Sequence, residues 1–494
     1  MTAYIIAIGG TGAKLVESMI HAAAVGLFSH NQKSEDLQIL LIDPDTGNGN
    51  ASATNTTRTI YQNCRQHFNV HPSRPWMSSN IDPIQGGAWS VFERTDATLK
   101  DTFPYNQDQD ERKLLFDVLY TEDERKLRLT QGFRGRPAIG AAIISQLTQE
   151  GREDANWNAL IEQINANSLG SEGGKSPKVF LCGSIFGGTG AAGLPTLGRL
   201  LANKLGPDGQ NLLGKIKFGC LLLLPYFQFN APQKLQDETV FARSQDFILQ
   251  TEAALRYYAN QTELKFDSVY MLGLPRFSSV ENFSPGGNNQ RNPPHFLEFY
   301  GALALRDFLV TNKPAQRQVM LLNREQPEAL TWNDIPEFNL VRSRVVAATR
   351  FALTWLAAIA PELKHAREKP KEVVWSLKFF KPQELKDTTE QDKIKTISDW
   401  CTNYLQWLGA IGRSEPSIKW FNWEVFLNTD GSILNTDGSI KMKRKDFSNL
   451  VPDQKTKEIN DILSKLNPRD IDTPDNRGAI GLAKSLYKII DRDL

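Results

Sequence analysis

Two segments of this chain carry the same four residues where a short apolar run gives way to a helical pattern. Gly9, Gly10, Thr11 and Gly12 follow "YIIAI", and Gly187, Gly188, Thr189 and Gly190 follow "KVFLCGSI" and one phenylalanine. A strand that ends in glycines and then starts a helix presents backbone N–H groups at a helix N-terminus, where the helix dipole also favours an anion. Glycine lets the backbone approach a phosphate closely. Thr11 and Thr189 add hydroxyl donors. The first loop departs from the dinucleotide fingerprint because Leu15 stands where the last glycine or alanine belongs, and neither loop has Walker A spacing. Either the two loops hold one nucleotide from two sides, its phosphates between neighbouring strand ends, or both are packing turns without a ligand.

The elements that must position these loops follow from hydrophobic patterning. "YIIAI", "LQILLIDPD" (37–45), "KVFLCGSI" (178–185), "IKFGCLLLLP" (216–225) and "FDSVYMLGLP" (266–275) are short, nearly continuous apolar runs separated by helical patterns. Such runs predict an α/β fold with a mostly parallel sheet covered on both faces. Residues 295–310 and 341–360 have helical periodicity. The polar stretch 46–130 reads as an insertion with one or two surface helices, and beyond about 365 the glycine loops stop while tryptophans and basic residues accumulate. The expected division is a nucleotide-binding domain over 1–310 with the insertion at 46–130, a connecting segment over 311–365, and a C-terminal domain over 366–494. "LNTDGSI" at 427–433 recurs at 434–440 and predicts two successive tight turns.

With 57 basic and 56 acidic side chains the formal net charge is +1, so no global field attracts nucleic acid or anionic lipid. Such a partner would need a local patch. "KMKRK" (441–445), near Trp420 and Trp423, is either a solvated run or a weak contact for a membrane surface or nucleic acid. Cys64, His67 and His71 have a spacing a metal could use, but lack a fourth ligand nearby. The four cysteines show no CxxC spacing. The start has no basic leader, and no apolar run approaches the length of a transmembrane segment. A cytoplasmic location is therefore the expectation.

"GSIFGGTGAAGLPTLGRLLANKL" (183–205) and "GFRGRPAIGAA" (132–142) resemble the tubulin/FtsZ superfamily, and more closely the prokaryotic tubulin-like proteins that stand apart from FtsZ proper. The resemblance covers about residues 1–360. It implies a tubulin/FtsZ-like, Rossmann-type nucleotide-binding domain with a parallel sheet, a central helix and a divergent C-terminal domain, and it implies GTP and Mg²⁺ as cofactors. The two glycine loops match the family's phosphate loops. Asp43 and Asp45 match a second loop near the metal or the phosphates, with Asp45 as the metal ligand, or form a strand-end turn. Arg134, Gly135 and Arg136 fall in the loop that senses the γ-phosphate, where the arginines either compensate phosphate charge or face solvent. Glu238 and Arg243 match ribose contacts. His295 stands at the start of the central helix, beside either base or ribose or in a packing role. Glu298 is placed to read guanine or to be a solvated helix residue, and Tyr300 to stack on the base. The chain departs from the family pattern where Ala192 replaces the last glycine of the signature, and where Leu274 and Ala304 replace the asparagines that read guanine.

In that family an acidic loop of the neighbouring subunit completes the hydrolytic site. "TWNDIPEFNL" (331–340) resembles it, with Asn333, Asp334 and Glu337 as catalytic candidates, or as cap and first-turn residues of the next helix. The implied function is a GTPase that assembles head to tail into filaments. The alternative is a non-polymerising nucleotide-dependent switch or scaffold for a protein partner, encoded in the same operon, in defence or membrane remodelling.

Overall fold

The computed structural model describes the chain apart from residues 1, 32, 69–74, 91–97, 104–109, 150–154, 170–175, 207–211, 230–241, 261–265, 281–283, 285, 312–317, 323–327, 437–438, 453, 455, 472–475 and 494. Seven strands form one sheet: β1 (Thr2–Ile8), β2 (Asp36–Ile42), β3 (Ile81–Trp89), β4 (Lys178–Ser184), β5 (Lys217–Leu223), β6 (Ser268–Leu272) and β7 (Gln318–Leu322). Every pairing is parallel and the spatial order is β7-β6-β5-β4-β1-β2-β3. The five apolar runs of the sequence are five of these strands.

A parallel sheet with two buried faces needs apolar side chains on both sides of each central strand. In β1, Ala3, Ile5 and Ala7 enter one core cluster while Tyr4, Ile6 and Ile8 enter another. The second cluster is closed by α3 (Pro137–Gln149), α4 (Ala155–Leu169) and α5 (Gly188–Leu205), through Ile139, Trp157 and Leu197 among others. The first is closed by α1 (Gly9–Ala24), α2 (Gly49–Arg65) and α7 (Phe296–Val310), and α6 (Phe247–Ala259) lies between α5 and the edge of the pocket described below.

The first cluster continues without a break into the C-terminal region. Buried side chains of α8 (Phe338–Thr354), α9 (Thr388–Ser414) and α10 (Gly478–Asp491) belong to it. His21 of α1 stacks on Trp407 of α9 at 4.6 Å, and Trp76 stacks on Tyr487 of α10 at 4.6 Å. Trp407, one of the tryptophans after residue 365, therefore packs against the helix that follows the first glycine loop.

Two strands escape the patterning. The stretch 46–130, expected as a surface insertion, supplies α2 and the edge strand β3. Pro83, Gly86 and Gly87 hide that strand from a sequence reading. They are tolerated because β3 pairs on one side only, with a register break opposite Ile39 to Leu41, as edge strands permit. β7, at the opposite edge, is shorter and equally unannounced.

α8 runs on through a π-helical turn, Trp355–Ile359, into Ala360–Ala366. This 29-residue run is apolar enough by length and composition to cross a membrane, which corrects the expectation that no such run exists, but 72% of its most apolar window is buried in the protein. It is the core helix against which α9 and α10 pack. The two copies of "LNTDGSI" fold alike: Asn428 N–H donates to Ser432 O at 2.8 Å and Asn435 N–H to Ser439 O at 2.7 Å.

α5 contains Pro195, which has no N–H for the carbonyl of Ala191. The hydroxyl of Tyr258, on α6, donates to that carbonyl at 2.7 Å. The acceptor freed by the proline is thus used by a second helix.

Candidate functional site

β1 and β4 lie side by side, yet β1 continues to β2 on one flank and β4 to β5 on the other. Strand order reverses between them, and in open α/β sheets this reversal leaves a crevice at the carboxyl ends of the strands. Both Gly-Gly-Thr-Gly segments sit at this place. Gly9 has φ +75°, and a Cβ on it would lie 3.3 Å from the Cβ of Thr189 and 3.5 Å from the N of Gly190. The loops are in mutual contact.

The helices that follow, α1 and α5, begin at these loops. Neither has a side-chain cap, and neither carries an acid in its first turn. Several backbone N–H groups of each helix start therefore have no intrahelical partner and face one pocket, lined on this side by Gly10, Thr11, Gly187, Gly188 and Thr189. Two uncapped positive dipole ends and two threonine hydroxyls suit a polyanion.

The segment just before α3 adds a third side. Gly132, Arg134 and Gly135 line the pocket, and Gln250 of α6 holds the turn by donating to Gly135 O at 2.9 Å. Arg134 occupies the left-handed region at φ +45°. Arg136 does not line the pocket: its guanidinium lies 3.2 Å from Glu124.

Asp43, Asp45 and Asn48 form a polar wall beyond β2. Asp43 accepts from Asp45 N–H at 3.0 Å and from Asn48 Nδ2 at 3.1 Å. Burial, with a smaller contribution from the Asp45 carboxylate, pushes the Asp43 carboxyl up to about 7 against the pull of these hydrogen bonds. Asp45, almost fully buried, accepts from Gly47 N–H at 3.0 Å and from Gly287 N–H at 2.6 Å. Asn48 caps α2 with its oxygen and donates from Nδ2 to Gln290 Oε1 at 3.1 Å as well as to Asp43. Asn50 accepts from Asn292 N–H at 2.9 Å. The breaker-rich loop around 286–292 is thereby fastened over the start of α2 by Asn48 and Asn50, and Asn48 and Gln290 are pocket residues that the sequence reading missed. Asn48 was visible as a helix cap, but nothing local announced its second role.

The opposite wall is aromatic. Phe186, Phe227, Phe229 and Phe247 line it, with Phe186 and Phe247 ring centroids 4.8 Å apart and Phe229 and Phe247 5.7 Å apart. Such a surface offers stacking to a planar group. It also escaped the sequence reading, which had assigned stacking to Tyr300.

Four residues expected around the base or ribose are placed elsewhere. Glu298 is fully buried, bound to Lys14 Nζ at 2.6 Å, to the hydroxyl of Tyr226 at 2.7 Å and to the N–H of His295 at 3.0 Å. Its carboxylate is occupied inside the protein and is not presented to a base. His295 caps α7: Nδ1 accepts from Leu297 N–H at 3.2 Å, which leaves Nε2 as the N–H facing Ser278 Oγ at 2.9 Å. Burial, and then the charge of Lys14, pushes the His295 imidazole down to about 3. Tyr300 donates to Asp334 O at 2.9 Å and does not line the pocket. Arg243 is exposed and does not line the pocket, although its neighbour Ala242 does. Glu238 lies outside the described residues. Gly9, Gly12 and Gly190 support the loops without lining the pocket.

Asn333, Asp334 and Glu337 do not line the pocket of their own chain either. Asp334 accepts from Thr331 N–H at 2.6 Å and Thr331 Oγ1 at 3.0 Å. Glu337, at φ +51°, holds Arg306 through both carboxylate oxygens at 2.9 and 2.8 Å. All three are exposed.

Among the described residues no three His, Cys, Asp or Glu side chains gather as a metal group. A Mg²⁺ site needs fewer, because this ion usually takes one or two carboxylates and completes its shell with phosphate and water. Asp43 and Asp45, two acids in the wall of the pocket beside the glycine loops, fit that requirement.

The fold and the pocket together define an α/β protein with a crevice at the switch point of a parallel sheet, lined by two glycine loops. No family model matches the sequence, and no curated protein matches it. Among solved structures the chain is similar to CetZ from Methanosaeta thermophila strain DSM 6194, with 12% identity and a TM-score of 0.25 over 56% of this chain and 48% of that one. It is also similar to CetZ2 from Haloferax volcanii, described as a GTPγS-bound protofilament, with 14% identity and a TM-score of 0.27 over 63% of this chain and 58% of that one. The chain thus spans less than two thirds of either protein. Likenesses this loose assign nothing to it, and the sheet order and pocket geometry stand on their own.

Proposed function

We propose that the chain binds a nucleoside triphosphate with guanine as its base, together with Mg²⁺, and assembles head to tail so that the 331–340 loop of one copy completes hydrolysis on the next. The observation that carries the binding step is the convergence of two uncapped helix N-termini, those of α1 and α5, on one pocket. In this reading the N–H groups of Gly10, Thr11, Gly188 and Thr189 bind phosphate oxygens, and Arg134 offsets their charge. Asp43 and Asp45 hold the metal, which when bound draws charge from the phosphates. Phe227 and Phe229 receive the base. Asn333, Asp334 and Glu337, exposed and remote from their own pocket, orient water at the pocket of the adjoining copy. Repeated heterologous contacts of this kind give open filaments.

A second reading is favoured by one observation. Asp334 is folded back on Thr331 and Glu337 is clamped by Arg306, so both acids are already engaged within their own chain. A nucleotide-dependent switch that neither hydrolyses nor polymerises would leave them so.

Pelleting and phosphate release with GTP, ATP or neither, beside an Asp334→Ala, Glu337→Ala double variant, separates these readings. GTP-driven pelleting that persists in the variant while phosphate release stops supports the filament GTPase. Nucleotide binding without pelleting at any concentration supports the switch. Absence of any nucleotide binding overturns both.

A further inference from the structure

The basic run at 441–445 is not absorbed by the nucleotide reading, and the structure gives it a neighbour. Arg444 bonds Glu362 Oε1 at 2.6 Å, and the indole N–H of Trp375 donates to the other oxygen of the same carboxylate at 2.5 Å. One acid therefore fastens the 441–445 run beside the short 3₁₀ helix Val374–Lys378. On the inner side of that helix Ser376, Phe379 and Phe380 are buried. On its outer side Val374 is 69% exposed and Leu377 39% exposed. Three residues apart in a 3₁₀ turn, they eclipse one another and form one small aliphatic knuckle, with the half-buried Trp375 at its edge.

The surroundings are cationic. Residues 362–386 contain seven Lys or Arg and four Glu, and residues 441–446 contain four Lys or Arg and one Asp. Glu372 is bound by His365 and Lys369, and Glu362 by Arg444. Lys371, Lys443 and Lys445 are exposed. In a protein of net charge +1 this is a strong local excess, assembled from two separate stretches.

We infer that the knuckle of Val374 and Leu377, together with the exposed Lys371, Lys443 and Lys445 of the two stretches joined through Glu362, docks on an anionic lipid surface. Aliphatic side chains enter the headgroup boundary while lysines meet the lipid charge, and a weak apolar anchor needs such charge to hold. A nucleic acid would use the same lysines but gains nothing from two exposed aliphatic tips. The patch shares no residue with the glycine-loop pocket, so it stands or falls independently of nucleotide binding.

Sedimentation of the full chain, without nucleotide, with vesicles of phosphatidylcholine alone and of phosphatidylcholine mixed with phosphatidylserine tests this. The expected result is binding to the mixed vesicles only, weakened by salt. Val374→Ser, Leu377→Ser should bind at least tenfold more weakly, and Lys371→Gln and Lys445→Gln each about fivefold more weakly, all with an unchanged melting temperature. Equal binding to both vesicles, or mixed-vesicle binding that ignores both the aliphatic and the lysine changes, overturns the inference. So does a protein that ignores the vesicles but binds a DNA duplex through the lysines.

Discussion

Gly9 packs against Thr189: a Cβ on the first residue of one loop would stand 3.3 Å from the Cβ of the third residue of the other. The two loops are thus one structural unit built from opposite halves of the sheet, and neither can shift without the other.

Glycine substitutions in this unit should separate folding from binding. A Cβ on Gly190 would lie 2.2 Å from the carbonyl oxygen of Ser184, a backbone atom that cannot turn aside, whereas one on Gly10 would meet Asn48 Nδ2 at 2.8 Å. Gly190→Ala should lower the melting temperature strongly. Gly10→Ala should keep the fold, displace Asn48, and weaken binding of a fluorescent GTP analogue at least tenfold. Equal effects of the two on melting would contradict this account.

Lys14 and Glu298 form a buried pair, 4% and 0% exposed. Removing one partner of such a pair strands the other, which costs about 3–5 kcal/mol. Lys14→Met should show this loss in urea unfolding, and Lys14→Met, Glu298→Leu should recover much of it. Glu298→Gln should leave any preference for GTP over ATP unaltered, because the carboxylate is spent inside the protein.

His21 is fully buried, neither ring nitrogen has a hydrogen-bond partner among the described residues, and burial pushes its imidazole down to about 3. The unfolded chain, with an ordinary imidazole near 6.5, binds the proton first. The folded state therefore keeps its full stability above about 6.5 and loses it as pH falls towards 3. His21→Phe should remove this loss, gaining about 2 kcal/mol relative to the parent between pH 7 and pH 5. Parallel pH curves for the two proteins would rule it out.

Burial pushes the Asp43 carboxyl up to about 7. Below that pH the protonated carboxyl presents no charge to an anion or a metal, and above it the carboxylate repels bare phosphate and attracts Mg²⁺. The benefit of Mg²⁺ to nucleotide affinity should grow from pH 6 to pH 8, and Asp43→Asn should flatten that growth. Calorimetric titrations with and without Mg²⁺ at both pH values provide the check.

The glycine loops and five strands were legible because their signals are local: spacing, apolar runs and the strand-to-helix change. β3 was not, because Pro83, Gly86 and Gly87 break a strand pattern that only its edge position permits. Glu298 and Tyr300 were misjudged for a different reason, while His295 takes the packing role at the helix start that the sequence also allowed. Glu298 is held inside the protein by Lys14, a residue of α1 almost 300 positions away in sequence, and no window of sequence contains both. The aromatic wall is likewise assembled from a residue just past β4, the short strand Phe227–Phe229 that follows β5, and the start of α6. The fastening of Asn48 to Gln290 joins residues 242 positions apart.

Pro195 leaves the carbonyl of Ala191 without its helical donor, and Tyr258 supplies one. A residue that normally interrupts a helix here creates an addressable socket, a single unmet acceptor that only a donor from outside the helix can fill. α6, which carries the pocket residue Phe247, plugs into that socket near its far end. Amide exchange in the first turns of α5 should therefore speed up in Tyr258→Phe, a change remote from the ligand that loosens the loop on which the ligand would rest.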